Sequence, residues 1–196
     1  MIFQIIAVLI LIVFYSFYFT RIIIQKRQSI KTNQMGKGNK PKKVLLIERL
    51  LSVTTISAVI GEVCSIFLVK DYLHSEIRII GIVIGVIAIL FFASAVNIMK
   101  NSWRVGIPEE KTALITSGIY NFSRNPAFVG FDLLYLSLCL MFFNIPLIVI
   151  SIFAAAMLHI QILQEEEYMH ITFGAEYDEY KKYTMRYLGR RVINEN

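Results

Sequence analysis

The sequence predicts an all-α membrane protein with about five transmembrane helices and a C-terminal interfacial amphipathic helix. Two observations carry this reading. Hydrophobic residues make up 56% of the chain, above the ~45–50% of an average soluble domain, and the excess is gathered into long runs. Lysine and arginine, in turn, concentrate in alternate connections between those runs. A span needs ~20 mostly apolar residues to cover ~30 Å of hydrocarbon.

Met1 to Ile24 meets that length with Arg21 as its only charge. It lacks the basic leader, short apolar core and small-residue cleavage site of a signal peptide, so it reads as a retained span. Leu50 to Val69 qualifies with Glu62 inside it, and Ile77 to Met99 with Arg78 at its edge. Ala127 to Phe143 and Pro146 to Leu163 are shorter, and only Asn144-Ile145 separates them. That pair reads as a tight helical hairpin, with Pro146 pre-set for a first helical turn. The count is five spans, or four if half of the hairpin is re-entrant.

Orientation follows from the basic residues. The first connection carries Lys26, Arg27, Lys31, Lys37, Lys40, Lys42 and Lys43, whereas the second has only Lys70 and Arg78 and the hairpin tip has none. The third carries Lys100, Arg104, Lys111 and Arg124, and the tail Lys181, Lys182, Arg186, Arg190 and Arg191. The N-terminus is thus expected outside, with the basic connections and tail on the cytoplasmic side. The formal charge of +6 is mostly this topology signal, and its dispersal argues against nucleic acid as a partner. Cys64 and Cys139 both fall within spans and read as buried apolar side chains.

Residues 1–99 form an N-terminal unit of three spans, and residues 100–196 a C-terminal core. Gln25 to Lys43, with Gly36, Gly38 and Pro41, reads as a mobile basic linker. In the tail, Phe173, Tyr177, Tyr180, Thr184 and Tyr187 recur at helical spacing. The last span is expected to continue to about Thr172, turn at Gly174, and resume from Ala175. Taken alone, the second helix is a common interfacial anchor.

Soluble cofactor signatures such as GxGxxG, the P-loop, HExxH and CxxC are missing from the sequence. His159 reads as a hydrogen-bonding residue between helices. Glu62 is an intramembrane acid, with a functional role and a hydrogen-bonded packing role equally open. The more informative polar residues lie in two groups. Ser117 to Gly130, SGIYNFSRNPAFVG, precedes the fourth span, and Glu165, Glu166 and Glu167 follow the fifth. A tight hairpin sets those two ends beside each other, within ~10 Å. Three acids at a helix C-terminus oppose its dipole, so a cation should compensate, either Arg124 or a bound positive ligand.

Gly118-Ile119-Tyr120, Arg124-Asn125-Pro126 and Gly130 resemble the G-[IV]-Y-x3-R-[HN]-P-x-[YF]-x-G signature of the isoprenylcysteine carboxyl methyltransferase family. Glu165-Glu166, Met169, Phe173-Gly174, Tyr177 and Tyr180 are similar to its E-E-x2-L-x3-F-G-x2-Y-x2-Y pattern. Phospholipid N-methyltransferases share this C-terminal arrangement, and Ser102-Trp103-Arg104 looks like a segment of bacterial members. The resemblance covers roughly Asn97 to Tyr187. It implies a methyltransferase using S-adenosylmethionine, with Arg124 and Glu166 catalytic and Tyr120, Arg124, Asn125, Pro126, Glu165 and Glu166 at the cofactor. The carboxylates would pair the cofactor's sulfonium and ammonium, and Arg124 its carboxylate. Tyr120, Phe122 and Phe128 would pack on or shield the adenine. Tyr177, Tyr180 and Arg186 would close over a lipophilic substrate arriving from the bilayer. Asn125 stands where the prenyl-protein enzymes usually have histidine, Phe128 where they have tyrosine, and Tyr183 where arginine is common. The acceptor therefore stays open between a carboxylate, a thiol and an amine. Two other classes compete: a nicotinamide-dependent sterol-type reductase, and a non-enzymatic membrane accessory protein.

Overall fold

The structure is a computed structural model that describes residues 1–69 and 73–191; Lys70, counted above in the second connection, lies outside them. Among the described residues six α-helices follow in order: α1 Ile2–Arg27, α2 Lys42–Leu68, α3 Ser75–Met99, α4 Pro126–Met141, α5 Ile145–Phe173 and α6 Ala175–Tyr183. Among the described residues there are no strands, only two isolated bridges. Helices α1, α2, α3 and α5 are long and apolar enough to cross a membrane. Their outward side chains, Ile5, Leu9, Val53, Ile60, Val83 and Phe153 among them, are exposed, the pattern that a lipid solvent permits.

Helix α4 is the exception in length. Its 16 residues rise only ~24 Å, short of the ~30 Å hydrocarbon. The five expected spans thus become four long helices and one short, largely buried one. Close approach to α3 seats it. A Cβ on Gly81 would lie 2.9 Å from the Ser137 carbonyl, and one on Gly130 would lie 3.1 Å from the Phe92 amide nitrogen. The Ser137 hydroxyl donates to the Gly81 carbonyl at 2.7 Å across the same contact. Small residues that let backbones touch are the usual means of holding helices together where lipid removes the hydrophobic drive.

The hairpin forms where the sequence places it. Asn144 caps α5, its side-chain oxygen accepting from the Leu147 amide at 2.9 Å, and its amide donates to the Ser65 hydroxyl of α2 at 3.0 Å. At the far end Gly174 takes φ +54° and ends α5, and α6 begins at the next residue. Helix α5 therefore carries the acids more than a turn before its end. The helix dipole fades within the last turn, so the expected dipole conflict at Glu165–Glu167 is absent.

The stretch expected to be a mobile linker is fastened instead. Gln25, fully buried, donates to the carbonyls of Lys100 and Trp103 at 3.0 Å each and accepts from the Thr32 hydroxyl at 2.6 Å. Asn33 bridges Val105. Glu48, fully buried on α2, accepts from Lys40 Nζ, the Gly36 amide and the Ile107 amide at 2.7–2.9 Å. Composition suggested flexibility, but a buried carboxylate must be paired, and both neighbouring loops supply its donors. Residues 28–41 thus form a strap lying on the loop after α3.

Candidate active site

The stretch before α4 folds as a short 3-10 turn, Gly118–Asn121, running into the helix at Pro126. Gly118 takes φ +62°, and a Cβ there would run into Ile98 Cδ1; glycine alone fits that corner without strain. The Ser123 hydroxyl accepts from the Asn125 amide at 3.1 Å. This local turn aims Arg124 and Asn125 at α5. Tyr120 is buried beneath them.

Glu166 is the focus of the charges. Its Oε1 accepts from Arg124 Nε at 3.1 Å, Arg124 Nη2 at 2.8 Å and Asn125 Nδ2 at 3.2 Å, while Oε2 accepts from Arg186 Nε at 3.0 Å and Nη2 at 2.9 Å. Arg124 Nη1 donates to the Thr184 carbonyl at 2.6 Å. Glu166 is thus saturated, and every guanidinium nitrogen of Arg124 already donates. The pair joins the pre-α4 turn, α5 and the tail into one assembly.

Glu165, one residue earlier, points elsewhere. It accepts a hydrogen bond from Gln161 Nε2 at 3.0 Å, and no cation is paired with it among the described residues. Gln161 is itself buried, and its Oε1 has no hydrogen-bond partner. A carboxylate and an amide oxygen therefore stand ready for donors that the described chain does not supply.

Helix α6 packs on the turn before α4. Tyr177 is buried, and the Tyr180 hydroxyl donates to the Tyr120 carbonyl at 2.6 Å. The tail beyond turns back, the Gly189 amide donating to the Phe122 carbonyl at 2.8 Å. Burial pushes the phenols of Tyr120, Tyr177 and Tyr180 above their ordinary range, so all three remain protonated. The hydrogen bond to Glu166 holds the Arg186 guanidinium above its ordinary value.

These side chains surround a cavity of about 440 Å³, a size within the ~300–1,000 Å³ typical of small-molecule sites. Tyr120, Arg124, Asn125, Pro126, Glu165, Glu166, Tyr177 and Tyr180 line it; Arg186 does not and holds Glu166 from behind. A second, apolar arm runs between α1 and α2, lined by Tyr18, Phe19, Leu51, Thr55, Ile56 and Val59. The strap contributes Asn33 and Met35, and the loop after α3 contributes Trp103, Arg104 and residues 112–115. Arg104 Nε is buried without a partner.

Sequence reading passed over Glu48, Gln161 and the α1–α2 arm. The charge at Glu48, two residues before the run starting at Leu50, was the one available signal. Glu62 is fully buried in α2 with neither oxygen hydrogen-bonded among the described residues, and it does not line the cavity. His159 pairs through Nδ1 with the Tyr187 hydroxyl of the tail rather than with another helix.

A family model described as phospholipid methyltransferase matches residues 77–176, from the start of α3 into α6 and over half of the chain. A search of curated proteins returns no match.

Proposed function

The chain belongs to the phospholipid methyltransferase family, and on that premise we propose that it transfers a methyl group from S-adenosylmethionine to a lipophilic acceptor. It is a multi-pass integral membrane methyltransferase. The observation that carries the finer reading is the contrast between neighbours: Glu166 is saturated by two arginines, whereas Glu165 faces the same cavity with only Gln161 as partner. An acid left without a counter-charge in a cavity favours a cationic occupant.

The residues fit the cofactor. When bound, it supplies an electrophilic methyl on a sulfonium. Glu165 pairs the positive end, and Gln161 Oε1 accepts from an amine or hydroxyl. Arg104, whose Nη1 donates to the Asn101 and Trp103 carbonyls and whose buried Nε has no partner, takes the carboxylate, because all three guanidinium nitrogens of Arg124 already donate to Glu166 or Thr184. Trp103, Tyr120 and Phe128 offer aromatic faces at the lining. Arg124, Asn125, Glu166 and Arg186 hold the turn, α5 and the tail in register, and Tyr177 and Tyr180 exclude water from that side.

The acceptor's polar head reaches the polar end through the α1–α2 arm, its apolar part resting on Phe19, Leu51, Ile56 and Val59. Its lone pair would be the nucleophile toward the cofactor's methyl, with the sulfonium sulfur as the leaving group. A carboxylate or thiolate needs no base for this step, whereas an ammonium must first lose a proton. The cavity's polar end lies on the cytoplasmic side by the distribution of lysine and arginine. Family membership favours this chemistry over a reductase or an accessory role.

The test incubates purified protein with methyl-labelled cofactor and a total extract of lipids and small thiols. Label is expected in an apolar product, and it drops with Glu165→Gln. Absence of label in every fraction contradicts the reading.

A further inference from the structure

Beyond the catalytic cavity, a groove of about 690 Å³ opens on the outer side of the strap, lined by Ile22, Lys26, Ser29–Asn33, Gln34, Lys37, Gly38 and Glu109. Lys26, Lys31 and Lys37 are all exposed. Not one of their ammonium groups has a hydrogen-bond or ion-pair partner among the described residues. The single acid, Glu109, already accepts from the Asn39 amide through Oε1 at 2.8 Å. Three lysines against one glutamate leave a net charge of +2 around the groove.

The groove's height in the fold identifies its ligand. Helix α1 carries Arg21, which donates to the Val96 carbonyl, as its one charge before Lys26 and ends at Arg27, so Lys26 stands where hydrocarbon gives way to headgroups. Ile22 lines the groove one turn deeper, and Ile23 and Ile24 beside it are exposed. The carbonyls of Gln25 and Lys26 that would repel an anion at this helix end are taken up by the amides of Gln28, Ser29 and Ile30. An anionic group thus meets unpaired ammonium groups above and an apolar helix flank below. Basic residues just beyond a span favour acidic lipids strongly over zwitterionic ones.

We propose that this groove binds the phosphate-bearing headgroup of an anionic phospholipid, with Lys26, Lys31 and Lys37 as its donors and the α1 flank at Ile22 beside its acyl chain. The bound headgroup lies against the strap, which also lines the catalytic cavity through Asn33 and Met35. The assignment does not depend on the methyl donor or acceptor.

The test titrates the full chain in mixed micelles with phosphatidylglycerol, phosphatidylcholine or inorganic phosphate, and reads the thermal unfolding midpoint. Ligand that binds the folded state raises it. Phosphatidylglycerol should raise the midpoint, while phosphatidylcholine and inorganic phosphate at equal concentration should not. In the variant Lys26→Gln/Lys31→Gln/Lys37→Gln the apparent affinity should fall by roughly tenfold or more. The charge-matched control Lys42→Gln/Lys43→Gln/Lys100→Gln, exposed lysines outside the groove, should keep it. Equal loss in both variants would mean diffuse surface charge and overturn the site. No response to phosphatidylglycerol, an unaffected groove variant, or an equal response to inorganic phosphate would also overturn it.

Discussion

Arg124 Nη2 donates to Glu166 Oε1 at 2.8 Å, with both side chains no more than 10% exposed. One contact therefore joins the turn before α4 to the distal third of α5. Removing Glu166 leaves the buried Arg124 without its counter-charge, a cost of about 3–5 kcal/mol. Glu166→Ala should lower stability by that order in thermal or denaturant unfolding. Arg124→Ala should cost less, because Arg186 still holds Glu166. The double variant should cost less than the sum of the two; strict additivity would mean that the residues do not act as a pair.

Glu48 should prove as important to the strap as Glu166 is to the tail. Glu48→Gln leaves Lys40, 6% exposed, without its counter-charge. A cost of about 3 kcal/mol would appear as local opening, with roughly hundredfold faster hydrogen exchange. The amides of Gly36 and Ile107, which now donate to Glu48, should report it, while amides in α3 keep their protection.

Gly130 is a packing glycine. A Cβ there would lie 3.1 Å from the Phe92 nitrogen and 3.2 Å from the Ala88 oxygen, backbone atoms that cannot rotate away. Gly130→Val should cost about 1–3 kcal/mol by overpacking. It should also displace the start of α4, and a shift of about 1 Å at a reacting site can cost roughly 10²-fold in rate. Unfolding and methyl-transfer assays on one preparation should therefore fall together.

Much of the architecture was legible in the sequence because apolar runs, Asn144-Ile145-Pro146 and Gly174 are local signals, read from each segment's own chemistry. The two motif groups also converge, since a tight hairpin leaves their ends no other place. What the sequence did not disclose was relational. Adjacent residues on a helix differ by about 100° in direction, so only the rotation of α5 decides that Glu166 meets arginine and Glu165 meets the cavity. Glu48 has no motif of its own, and only the fold brings two separate loops to donate to it. The α1–α2 arm has no motif because an apolar wall and an apolar lipid face use the same residues.

The apolar arm should affect the acceptor and not the cofactor. Thr55→Trp fills the arm beside Ile56 and Val59. KM for the lipophilic acceptor should rise by roughly tenfold, with unchanged cofactor affinity. Equal losses in both would place the acceptor elsewhere.

The most direct test of the central claim is a calorimetric titration of the purified chain with S-adenosylmethionine, run in parallel on Glu165→Gln. The native chain should bind. The variant should bind roughly 10–100-fold more weakly, the scale of one lost hydrogen-bonded charge, with little change in its unfolding midpoint. No binding by the native chain at millimolar cofactor, or equal affinity in the two, would contradict the account.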